Sequence, residues 1–160
     1  MIDEELLLNV SQQLKTKGLT LATAESCTGG LLAHILTNIS GSSEYFDRGV
    51  ISYSNTAKQE LLDVSEKTLK QHGAVSEQTA HAMATGIKKR SQADIGIATT
   101  GIAGPKGGTK DKPVGLVYIG IATSKNVSVK KYLFSGDRLQ IKESTCNAAL
   151  DLLFEYLNQK

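Results

Sequence analysis

Tryptophan is absent from this 160-residue chain, and all aromatic residues together make up 5% of it. A surface that holds single-stranded nucleic acid by stacking bases on rings is therefore poorly supplied. The two cysteines, Cys27 and Cys146, are too few and too far apart for a disulfide framework or a zinc site, and they suit a reducing compartment. His34, His72 and His81 lack the spacing of metal ligands, and no paired carboxylates stand out, so neither a metal nor a cofactor is called for. Charge of one sign is also scarce. The net charge is +2 and no like-charged run forms a tail, which argues against nucleic acid or an anionic membrane as a partner. No apolar stretch approaches the roughly 18 residues that span a bilayer. The first five residues, Met-Ile-Asp-Glu-Glu, are acidic where a secretion signal is basic. The expectation is a cytoplasmic protein of one domain, residues 1–160, with ordinary apolar (40%) and charged (21%) content.

Against that background the hydrophobic spacing is orderly. Leu6, Val10 and Leu14 recur at i, i+4, i+8 and predict a helix over Asp3–Lys17, stopped by Gly18. A strand over Leu19–Ala24, a helix over Leu31–Thr37 and a mixed strand over Tyr45–Tyr53 follow. Asn55 is expected to cap a short helix over Thr56–Leu62, Ser65 a second, and Ser76 a longer one with Ala80, Met83, Ala84 and Ile87 on its inner face. Asp94–Thr100, Val114–Thr123 and Val127–Phe134 read as strands, the last two joined by a tight turn at Lys125-Asn126. Asp137, with Gln140 three residues on, opens the final helix as a capping box. Helices separate the early strands, which predicts parallel pairing with helices on both faces. The fold class is α/β, a three-layer α/β/α sandwich with a mixed, mostly parallel sheet.

Three loops, each at a strand end, carry residues suited to chemistry. In Ala24-Glu25-Ser26-Cys27-Thr28-Gly29-Gly30, Ser26 is either a nucleophile whose oxyanion meets the following N–H groups, or a helix cap, a role Thr28 also fits. Cys27 is a rival nucleophile without an assignable histidine. In the second loop Lys58 falls in the first turn of its helix, where the dipole and partial burial lower an amine's pKa; an exposed surface lysine is the plainer alternative. Tyr53 precedes it at the wrong spacing for a short-chain dehydrogenase, and no Gly-x-Gly-x-x-Gly opens the chain. The third loop, Thr100-Gly101-Ile102-Ala103-Gly104 and on to Gly108, is rich enough in glycine to cradle a phosphate, or simply to shape a long turn. It lacks the Gly-Lys-Ser/Thr ending of a nucleoside-triphosphate hydrolase. Arg138, at the start of the last helix, is a second candidate anion ligand.

Taken together, six segments resemble the CinA C-terminal domain family. They are Ala-Glu-Ser-Cys-Thr-Gly-Gly, Tyr-Ser-Asn-x-x-Lys, His-Gly-Ala-Val-Ser, Gly-Ile-Ala-Gly-Pro-x-Gly-Gly, Lys-Pro-Val-Gly and Phe-Ser-Gly-Asp-Arg, in this order. The likeness runs from about Ala22 to Leu153, and it is to the family's stand-alone bacterial form, without the additional N-terminal domain of longer members. It implies an α/β/α sandwich that forms homo-oligomers. It implies hydrolysis of a small nucleotide substrate, nicotinamide mononucleotide, to nicotinate mononucleotide and ammonia in pyridine nucleotide salvage. The family's serine, tyrosine and lysine match Ser26, Tyr53 and Lys58. The remaining expectations are that Thr28, Gly29 and Gly30 lie by the oxyanion, and that Thr100, Gly101, Ala103, Gly104 and Arg138 hold the 5′-phosphate. Some relatives have lost catalytic positions, so a silent nucleotide-binding or regulatory module is the alternative from another class.

Overall fold

The computed structural model describes residues 1–159. Among them, helix α1 (Glu4–Lys17) leads into strand β1 (Leu21–Glu25) and helix α2 (Leu31–Thr37). A short 3-10 turn at Ser42–Glu44 precedes β2 (Phe46–Ile51). Helices α3 (Asn55–Leu62), α4 (Glu66–His72) and α5 (Glu77–Ser91) follow, then β3 (Ile95–Gly101), β4 (Leu116–Ala122), β5 (Val127–Leu133) and α6 (Arg138–Leu157). The sheet order is β2-β1-β3-β4-β5. β1 pairs parallel with both β2 and β3, while β4 is antiparallel to both of its neighbours. One strand is therefore reversed, as expected of a mixed sheet, but its place between β3 and β5 divides the pairings evenly.

The period of two along the strands decides what each face carries. Leu21, Ile95, Ile97, Ile119 and Ile121 pack on one side with α1, α2 and α6. Ala22, Ala24, Ala98 and Ala122 lie on the other, against Leu62 of α3, Leu69 of α4 and Met83, Ala84 and Ile87 of α5. Small residues bring α5 down onto the sheet. A Cβ at Gly96 would stand 2.6 Å from the Ala84 carbonyl oxygen, and one at Gly120 2.6 Å from that of Ala80. The same alternation aims the residues at the end of β1. Glu25 continues the α2 side, and Ser26 turns to the α3–α5 side.

Caps account for most helix boundaries. Asp3, Ser65 and Ser76 accept from backbone N–H groups as N-caps, and Asp137 forms the expected capping box with Gln140. Helix α3 differs from expectation. Its cap is Ser54, whose hydroxyl accepts from Ala57 N at 3.0 Å, so Asn55 is the first helical residue and Lys58 the fourth. Among the described residues no helix is long and apolar enough to cross a membrane.

Candidate functional site

The carboxyl ends of β1, β2 and β3 open into one crevice, at the point where the chain leaves β1 for a neighbour on either side. In open α/β sheets this is where ligands bind. A cavity of about 180 Å³ sits there, lined by Ser26, Cys27, Tyr53, Lys58, Thr100, Arg138 and the backbone around Ala74 and Gly101. A larger cavity of about 400 Å³ lies between α1 and α2. It is bordered by Leu7, Leu8, Ile35 and Ile39, and none of the candidate residues faces it.

Lys58 reaches from α3 beneath this pocket and is 1% exposed, which rules out the alternative of a surface lysine. Its Nζ lies 3.0 Å from Ser26 Oγ, 2.8 Å from the Ser52 carbonyl oxygen and 3.4 Å from that of Tyr53. Carbonyl oxygens only accept. A neutral amine has two hydrogens and one lone pair. With both hydrogens given to the carbonyls, the lone pair is left facing the Ser26 hydroxyl. Burial holds the Lys58 pKa down from 10.5 to about 8, so the neutral form is within reach near neutral pH. With Ser54 as the cap, Lys58 is the fourth residue of α3 rather than the third. Ser26 itself is 8% exposed and open to the pocket.

Cys27 also lines the pocket, but burial pushes its thiol up to about 12. It is a packed thiol and a poor nucleophile. Neither Ser26 nor Thr28 caps α2. That role falls to Glu25, which sequence reasoning missed. Its buried carboxylate accepts from Leu32 N (2.8 Å), Ala33 N (3.0 Å) and Thr28 Oγ1 (2.6 Å). A carboxylate just ahead of a helix start is the signal that points to it. The Thr28 hydroxyl is consequently turned into the interior, where it also meets Thr99 Oγ1 at 2.8 Å. Gly29 and Gly30 have φ of +60° and +100°, so the turn itself requires glycine, whatever approaches it. The N–H of Gly29 is donated to the Ser26 carbonyl. The N–H groups of Cys27, Thr28 and Gly30 have no backbone partner among the described residues.

The Tyr53 side chain makes no hydrogen bond to Ser26 or Lys58. It is 58% exposed, and its hydroxyl accepts from Arg138 Nη2 at 2.9 Å. Arg138 Nη1 donates to the Gly104 carbonyl at 2.6 Å. The glycine-rich loop thus offers Arg138 a carbonyl, and the N–H of Ile102 is spent on Leu116 O. Thr100 Oγ1 donates to Ala74 O at 2.7 Å, which ties the His-Gly-Ala-Val-Ser segment to the pocket wall. Gly101 and Ala103 line the pocket, whereas Thr28, Gly29, Gly30 and Gly104 stand behind or beside it. Among the described residues no group of three or more His, Cys, Asp or Glu is placed to hold a metal ion.

Comparison with known proteins agrees with this architecture. The family model described as the CinA C-terminal domain matches residues 3–157. A CinA-like protein of Chloroherpeton thalassium is 52% identical over 160 residues, covering 98% of this chain and 38% of that protein. The crystal structure of the competence/damage inducible protein CihA of Agrobacterium tumefaciens superposes with a TM-score of 0.95 at 43% identity, covering 99% of each chain. A CinA superfamily protein of Klebsiella pneumoniae superposes with a TM-score of 0.92 at 37% identity, covering 96% of each. The chain spans 37–38% of the length of the curated relatives it matches.

Proposed function

The chain belongs to the CinA C-terminal domain family, and from that premise we propose that it is a serine amidohydrolase of pyridine nucleotide salvage. Its substrate in this reading is nicotinamide mononucleotide, converted with water to nicotinate mononucleotide and ammonia. The observation that carries the reading is the buried Lys58 amine, aimed by two carbonyls at the hydroxyl of a pocket serine. A serine–lysine pair is a known substitute for a serine–histidine pair in acyl transfer.

The steps follow from the geometry. Ser26 Oγ–H gives its proton to Lys58 Nζ as Oγ attacks the carboxamide carbon. The N–H groups of Cys27, Thr28 and Gly30 are the candidate donors to the resulting oxyanion. Collapse breaks the C–N bond, and the Lys58 ammonium protonates the leaving nitrogen, which departs as ammonia. Water then attacks the acyl-Ser26 ester, giving its proton to Lys58. The carboxylate is released and Ser26 is reprotonated. Lys58 does this directly, since the Tyr53 hydroxyl is held by Arg138. Arg138 takes the 5′-phosphate at the mouth of the pocket, with Thr100, Gly101 and Ala103 forming the wall behind it.

The test is ammonia release from nicotinamide mononucleotide. Ser26→Ala and Lys58→Ala should each lower kcat by about three orders of magnitude or more with the fold intact, and Cys27→Ala should retain turnover. Near-normal activity in Ser26→Ala removes the serine assignment. Loss in Cys27→Ala alone moves it to the thiol. No ammonia from the wild type leaves the silent, nucleotide-binding reading.

A further inference from the structure

Four helices begin near the pocket. Ser54 caps α3 and Ser76 caps α5. At α2 and α6 the positive helix end would likewise favour an anion. Both are already occupied. At α2 the buried Glu25 carboxylate takes the N–H groups of Leu32 and Ala33. A second anion there would meet both spent donors and a like charge. At α6 the Asp137 side chain accepts from Gln140 N at 2.9 Å. At these two helix starts an anion would find no free backbone donors, so side chains there become the candidates.

Helix α6 supplies two. Arg138 spends one hydrogen of each terminal nitrogen on Gly104 O and Tyr53 Oη. That fixes the guanidinium plane and leaves three of its five donors. Lys142 follows one turn later, on the same side of the helix. It is half-buried, and its Nζ lies 3.7 Å from where a Cβ on Gly29 would stand, over the turn that carries Ser26. Among the described residues Lys142 makes no ion pair and no hydrogen bond. Like charges four apart disfavour a helix. The acids beside this pair do not relieve it, since Asp137 is the cap and Glu143 pairs with the amino terminus at 2.6 Å. A half-buried, unpaired cation one turn from a second cation, with its Nζ over the turn that carries Ser26, breaks a local rule with no compensation inside the chain. Such breaks are expected where a ligand completes the arrangement.

We propose that Lys142 and Arg138 together grip the phosphomonoester dianion of the substrate. Lys142 sets the preference for the nucleotide over its nucleoside. This rests on the amidase reading of the pocket, and it adds to Arg138 a residue that no motif in the sequence marked. Arg138 supplies a planar fork and Lys142 a point charge one turn along the same face of α6, so a dianion is met by two cations of different geometry.

The experiment compares ammonia release from nicotinamide mononucleotide and from nicotinamide riboside in wild type, Lys142→Ala and Lys142→Arg, with circular dichroism as the check on folding. The nucleotide-to-riboside ratio of kcat/KM should fall at least tenfold in Lys142→Ala, chiefly through KM for the nucleotide, and Lys142→Arg should restore most of it. An unchanged ratio, or equal losses on both substrates, overturns the assignment. Binding of inorganic phosphate, followed by phosphorus NMR, gives a readout that needs no turnover. If the wild type releases no ammonia from either amide, the amidase reading fails by itself. The clamp then stands if Lys142→Ala binds phosphate at least tenfold more weakly than wild type, and falls if the two bind alike.

Discussion

Burial gives Lys58 a measurable pH signature. With its pKa near 8, about a tenth of the amine is neutral at pH 7. Turnover limited by that form should rise about tenfold per pH unit below 8 and level off above it. A flat profile of kcat/KM between pH 6.5 and 8.5 would remove Lys58 as the base. The same shift acts on stability. The folded value lies below the ordinary 10.5, so the unfolded chain binds more protons between about 8 and 10.5. Stability therefore rises with pH across that window, and the penalty of burying the amine is fully present below it. Lys58→Met should accordingly melt higher than wild type at pH 7 while losing activity, and the gap should narrow towards pH 10. Some of this was legible in the sequence: Ser26 follows the end of β1, and Lys58 lies near the start of the helix that follows β2. The Tyr53 side chain was not legible. Spacing says that it follows β2, but its partner, Arg138, lies 85 residues away, and only the closed sheet brings the two together.

At the scale of elements, glycine decides how close helices come. Gly86 lies mid-way along α5, where alanine would add about 1 kcal/mol of helix propensity. Packing reverses the sign. A Cβ there would stand 1.9 Å from the Leu62 carbonyl oxygen of α3, which is backbone and cannot turn aside. Gly86→Ala should thus destabilise by about 3 kcal/mol, read from urea unfolding, and because α3 carries Lys58 it should also lower kcat. A stabilised variant would show that α3 is loosely seated. Elements themselves were the most legible level, since apolar periodicity and capping residues are local. The order of helices and strands came out as expected, and so did the caps at Ser65, Ser76 and Asp137. The failures have two causes. Ser54 and Asn55 are both good caps and stand side by side, so propensity could not choose between them. Glu25 caps α2 from the preceding strand, across a turn that no short-range rule spans.

For the molecule as a whole, Arg138 is the fastening, joining α6 to the loop after β3 and to the exit of β2. Arg138→Ala should weaken handling of the nucleotide far more than of the riboside, measured as the ratio of kcat/KM. Tyr53→Phe breaks one exposed link of that fastening, so it should raise KM for the nucleotide a few-fold with little change in kcat. A fall in kcat of several orders would instead put the phenol in the proton path. The three-layer architecture was legible because helices separate β1, β2 and β3. The position of β4 between β3 and β5 was not, because strand order is a long-range property. The two layers on the sheet also differ in how they are seated. α5 is seated carbonyl against glycine, with no rotamers through which to yield, whereas α6 rests on interdigitated branched aliphatic side chains. The base and its serine belong to the α5 side, and the arginine and lysine to α6. In the proposed reading a charged ligand is held from α6, on the opposite face of the sheet from the helix that aims Lys58 at Ser26.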